Sequence, residues 1–166
     1  MNTCKTLYYS FIYPYLIYCN QVWGCATKTA LKRIVTLQKK VLRIICFAPF
    51  NSHTERLFKE LSILRFQDIY TYLVAIFMRK IVTGEALLNY KGMFVYNFEI
   101  TSRVTRNSFN FHVPFTKTEL SKRCIKYTGC LIWNKISKYI DRPMSQESFK
   151  HFMKTLLIKE PFVIFE

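Results

Sequence analysis

Carboxylates are scarce in this 166-residue chain: ten Asp and Glu stand against twenty-five Lys and Arg. Only two are aspartates, Asp68 and Asp141, and neither has an acidic neighbour. Two-metal nucleotidyl chemistry needs clustered carboxylates to hold both ions. Here such a centre would have to be assembled from residues far apart in sequence. Glycine is equally sparse, and Gly24, Gly84, Gly92 and Gly129 stand too far apart for a phosphate-cradling loop. No G-x-S-x-G nucleophile elbow occurs. His53, His112 and His151 are isolated; His53 reads as a loop residue and His151 as a helix-surface residue. No C-x-x-C or H-x-x-x-H spacing supports zinc, and Cys124 and Cys130 have no histidine nearby. The expectation is a chain with no catalytic residue, no metal, no cofactor and no small-molecule substrate.

A secretory leader is also missing from the first stretch, which is weakly charged and lacks a small-residue cleavage site. The six cysteines (Cys4, Cys19, Cys25, Cys46, Cys124 and Cys130) lie among core-type residues. They read as reduced, buried thiols of an intracellular protein of the nucleus or cytoplasm. Charge is absent from Thr6 to Thr27, a span long enough to cross a bilayer. Ser10, Pro14, Asn20, Gln21 and the tyrosines Tyr8, Tyr9, Tyr13, Tyr15 and Tyr18 suit a bilayer midplane poorly. A buried core helix is the preferred reading, with a membrane anchor as the alternative.

What the chain does have is apolar mass and positive charge. Hydrophobic residues make up 51% and aromatic residues 17%, enough for the core of one domain and a small appendage. The net charge of +15 selects polyanionic partners, nucleic acid before anionic membrane.

Periodicity predicts a mostly α-helical chain. Thr3 to about Trp23 reads as a helix kinked or split by Pro14, with Gly24 as a stop. Thr27 or Thr29 can cap a second helix running to about Phe47. Leu31, Ile34, Val35, Gln38, Val41, Leu42 and Ile45 share one side of it. Lys28, Lys32, Arg33, Lys39, Lys40 and Arg43 share the other. No acidic residue interrupts that basic face, so no i,i+4 pair neutralises it, which favours phosphate contact.

Ala48–Ser52 breaks the helix, and Thr54 can cap a short one to Leu61. Phe66 to Val82 is helical, apolar at Ile69, Tyr72, Leu73, Ile76, Phe77 and Ile81, with Gly84 ending it. Met93 to Val113 loses the helical period and reads as strand or loop. There Arg103 and Arg106 lie among Tyr96, Phe98, Phe109 and Phe111, a basic and aromatic mixture suited to single strands. Two closing helices follow, Thr118 to about Trp133, interrupted at Gly129, and Ser145 to about Ile158, capped by Ser145.

The run Leu7-Tyr8-Tyr9-Ser10-Phe11-Ile12-Tyr13-Pro14-Tyr15-Leu16-Ile17-Tyr18-Cys19-Asn20, then Val22-Trp23-Gly24, resembles the segment after the palm in reverse transcriptases of non-LTR (LINE-type, jockey-like) retrotransposons. Leu37-Gln38-Lys39-Lys40 with Leu42-Arg43-Ile44-Ile45 is similar to that family's Leu-Gln-Lys helix, and Leu57-Phe58-Lys59-Glu60-Leu61 to the block that follows. Thr105-Arg106-Asn107, Phe111, Pro114, Ile125-Lys126-Tyr127, Gly129, Trp133-Asn134 and Phe149-Lys150 resemble its closing region. Ser137 stands where a proline would be expected, and Cys124 where a serine would be. The resemblance implies a helical thumb gripping a template–primer duplex by its backbone, with palm and catalytic aspartates located before Met1.

The sequence thus predicts a small helical, thumb-like bundle over 1–84, an extended connector over 85–117 and a helical region over 118–166. Its expected role is non-catalytic, non-specific binding of RNA or DNA backbone. Lys28, Lys32, Arg33, Lys39, Lys40, Arg43, Arg103 and Arg106 are the candidate contacts. The competing readings are a small basic membrane-associated protein anchored by 6–27 and a decayed fragment without function.

Overall fold

The computed structural model describes residues 2–86, 90, 92–101, 105–140 and 144–160. Arg103 and Asp141 lie outside them. The fold is mostly α, and no β-strand forms among the described residues. The chain divides into two compact units, one built from Met1–Leu73 with Lys150–Val163, the other essentially from Val74–Phe149.

The first unit opens with α1 (Asn2–Leu7), a π-helical turn (Tyr8–Ile12) and α2 (Tyr13–Ile17). Proline lacks an N–H and its ring crowds the carbonyl four residues back. The wider π-turn, closed by the Tyr13 N–H on the Tyr8 carbonyl, delivers Pro14 to the start of α2, where its missing donor costs nothing. A second break comes later, at Cys19, which takes a left-handed φ of 47° before α3 (Asn20–Trp23). The Trp23 indole N–H closes that corner by donating to the Tyr18 carbonyl at 2.7 Å. No described helix is long and apolar enough to cross a membrane.

Gly24 caps the end of α3 at Trp23, the stop expected from sequence, in a right-handed conformation. It is required for close approach: a Cβ there would meet the Asn20 carbonyl at 2.5 Å and the Tyr70 ring at 2.8 Å.

α4 (Lys28–Ile45) begins as expected, with Thr27 Oγ1 accepting from the Ala30 N–H at 3.2 Å. It ends where Phe47 turns left-handed. α5 (Thr54–Glu60) is preceded by His53 at the cap, and Thr54 is its buried first residue rather than the cap. Leu57, Phe58 and Leu61 face inward.

α6 (Phe66–Val82) contributes residues to both units. Its most buried apolar positions are Phe66, Ile69, Tyr70, Val74, Ala75 and Met78, with Thr71 buried among them; Tyr72, Leu73, Ile76, Phe77 and Ile81 are only half-buried. Gly84, at φ 76°, ends it.

The second unit packs the end of α6, α7 (Asn97–Ile100), α8 (Glu119–Lys122) and α9 (Ile125–Ile136). An antiparallel bridge pairs Tyr96 with Phe111. The closing helical stretch breaks at Arg123–Cys124 and not at Gly129, which lies inside α9. Gly129 leaves room for α6: a Cβ would come within 2.8 Å of Met78 Sδ. Of the six cysteines, expected to be buried, Cys130 alone is, and Cys19 and Cys124 are exposed.

Asn134, on the same helix, clamps the backbone of Phe111 in both directions. Its Oδ1 accepts from the Phe111 N–H and its Nδ2 donates to the Phe111 carbonyl, each at 2.8 Å. α10 (Gln146–Lys159) is capped by Ser145, whose hydroxyl accepts from the Ser148 N–H at 3.2 Å.

Candidate nucleic-acid interface

α4 separates its two faces as the periodicity predicts. Gln38, Leu42 and Ile45 are buried, while Lys28, Lys32, Arg33, Lys39 and Lys40 are exposed. At 1.5 Å per residue the cations from Lys28 to Lys40 run along roughly 18 Å of helix, enough to follow several phosphates. Among the described residues none of these five is in a salt bridge. The first turn of α4 carries no carboxylate, so Lys28 sits at the positive end of the helix dipole with nothing to offset it. An incoming anion would relieve both repulsions.

Arg43 behaves differently. It is half-buried, and its Nε and Nη2 both donate to the Ser52 carbonyl at 3.1 Å. Its guanidinium lies 5.9 Å from the centroid of the Phe50 ring. This residue holds the loop after α4 in place and is not a freely presented cation.

The inward face is fixed by an interaction that periodicity alone does not disclose. Gln38 Nε2 donates to the Tyr8 hydroxyl and to the Leu64 carbonyl, and Gln38 Oε1 accepts from the Phe66 N–H, each at 2.9 Å. One buried amide thereby ties the first helical run, α4 and the start of α6 together. A polar residue at the centre of an apolar stripe was the only available signal. Burial pushes the Tyr8 phenol up to about 12, with the Gln38 hydrogen bond acting the other way.

Three cations elsewhere are matched by carboxylates. Arg56 pairs with Glu60, Lys122 with Glu119, and Arg65 with both Asp68 and Glu55. The mutual hydrogen bond of Glu119 and Lys122 holds the carboxyl below its usual range and the ammonium above its own. Asp68 is buried with Arg65 Nε 2.8 Å away. Among the described residues no group of three His, Cys, Asp or Glu is placed to hold a metal ion.

Arg106 is exposed on the turn from Thr105 to Asn110, far along the chain from α4 and in the other compact unit. Its aromatic neighbours in sequence do come together: Phe111, Tyr96, Phe98 and Phe109 form one connected set of ring contacts.

The class of protein these features define is a mostly helical one with an exposed basic face on α4. Comparison with known proteins finds no family model, no characterised protein and no solved structure that matches the chain.

Proposed function

We propose that this chain is the thumb and following region of a non-LTR retrotransposon reverse transcriptase, non-catalytic in itself, and that it grips nucleic-acid backbone through α4. The observation that carries the binding role is the row Lys28, Lys32, Arg33, Lys39 and Lys40, exposed and without salt bridges among the described residues. Phosphate contacts of this kind supply affinity and register without reading bases. The family assignment rests on the order and spacing of the motifs in the sequence. Several of those motif residues have defined structural work, including Gln38, Gly129 and Asn134.

Neutralising Lys32, Lys39 and Lys40 to Gln tests the binding role. The triple variant is expected to lose roughly ten-fold or more in affinity for duplexes of unrelated sequence at moderate salt, with thermal stability unchanged. Unaltered affinity would remove α4 from the interface. The family assignment is tested separately, by sequencing the DNA upstream of the Met1 codon for a palm with its aspartates. A chain with no affinity for any nucleic acid would support the reading of a decayed copy.

A further inference from the structure

The turn bearing Arg106 is held by several backbone and side-chain hydrogen bonds. The Phe98 N–H donates to the Ser108 carbonyl and the Asn97 N–H to the Asn110 carbonyl. The buried Ser108 hydroxyl accepts from the Thr105 N–H at 2.6 Å, and Asn97 Nδ2 donates to the Asn107 carbonyl.

Within this frame the rings are ordered from core to solvent. Phe111, 2% exposed, stacks on Tyr96 at 4.4 Å and 17°. Tyr96 stacks in turn on Phe98 at 5.4 Å and 12°, and Phe98 is 48% exposed. Phe109 stands beside Phe98, 6.1 Å away and tilted by 55°, with 82% of its surface in water. A near-parallel stack that starts in the core and ends at exposed rings offers a preformed surface to another flat ring. Exposing two phenylalanines has no folding benefit, since a hydrophobic side chain gains only when water is removed from it.

We propose that Phe98 and Phe109 form a stacking platform for an unpaired nucleobase, with Arg106 taking a phosphate of the same strand. The inference rests on the polyanion-binding reading above and deepens it by naming single-stranded nucleic acid as the ligand of this second surface. Charge complementarity selects that occupant, because the chain carries +15 and Arg106 is exposed on the same turn as Phe109. Stacking on ring faces is sequence-tolerant, since every base has a π-face. Paired bases inside a duplex have no such face to offer. Glu99, exposed on α7, is a carboxylate of this hairpin and disfavours phosphate on its own side.

The test compares three probes by fluorescence anisotropy with the full chain: an oligothymidylate of about 15 nucleotides, an abasic phosphodiester of the same length, and a duplex. The intact chain should bind oligothymidylate roughly ten-fold more tightly than the abasic strand, by the usual contribution of base–aromatic stacking. Phe109→Ala should lower oligothymidylate affinity roughly five-fold and leave the abasic strand and duplex unaffected. Phe109→Leu, which keeps the apolar bulk and loses the π-face, should show most of the same loss.

Equal affinity for oligothymidylate and abasic strand would overturn the stacking site while leaving the α4 reading intact. So would a Phe109→Ala variant weakened equally on every probe, or one that lost only adsorption to anionic phosphatidylserine vesicles. No binding to any of the three probes would overturn both readings.

Discussion

Burying a side-chain amide is costly unless its polar atoms find partners, and Gln38 meets that condition with three hydrogen bonds. Gln38→Leu keeps the volume but strands the Phe66 N–H and the Leu64 carbonyl. It should destabilise the fold by about 2–4 kcal/mol in urea unfolding. A loss under about 0.5 kcal/mol would mean that the three bonds contribute little beyond what water supplies.

Its partner Tyr8 makes stability depend on alkaline pH. The unfolded phenol releases its proton near pH 10, whereas the folded one, pushed up by burial, retains it to about 12. The folded state therefore binds more protons between these values, so stability is intact below pH 10 and falls as pH rises through 12. Melting temperatures across that range should fall less steeply for Tyr8→Phe than for the parent chain. A residual fall is expected, because Tyr13 is raised in the same direction, again chiefly by burial. Parallel curves for the two proteins would contradict the assignment to Tyr8. Gln38 was visible in the sequence as a residue on the apolar side of its helix, but its partners come from two other segments, which no local pattern encodes.

At the scale of elements, helices that end by local chemistry were legible, and those shaped by neighbours were not. Thr27 and Ser145 cap α4 and α10 through their own hydroxyls, and Gly84 ends α6 with a positive φ. Pro14 divides the first run as expected, with a π-turn ahead of it. Thr54 and Gly129 misled for one shared reason: each answers to its surroundings and not to its own propensity. Thr54 is buried, and Gly129 sits within a helix so that α6 can approach.

The two close-packed glycines differ in what an added methyl would meet. At Gly129 the obstacle is the flexible Met78 thioether, and alanine's better helix propensity offsets part of the strain. At Gly24 it is backbone and a ring. Gly24→Ala should therefore cost about 2 kcal/mol or more, and Gly129→Ala about 1 kcal/mol or less. Denaturant midpoints falling in the opposite order would refute this account of their packing.

For the whole molecule, periodicity foretold the helical class. Neither periodicity nor composition foretold which rings meet: tertiary placement brings Tyr96 to Phe111 and leaves Arg106 exposed. Phe11, Tyr15, Tyr18 and Val22 stand exposed along the first helical run, although that run was expected to be a buried helix. A chain carrying +15 repels its own copies at low salt, and screening removes that repulsion. Sedimentation should accordingly show self-association rising with salt at micromolar concentration, and a monomer throughout would show the aromatic stripe to be inert.

The most direct measurement is the salt dependence of duplex affinity, made at protein concentrations low enough to avoid self-association. Five cations at about one phosphate each predict a log–log slope of roughly −4.5, reduced in magnitude by roughly 2 when Lys32 and Lys39 become Gln. A slope near zero, or one untouched by those substitutions, would contradict backbone recognition by α4.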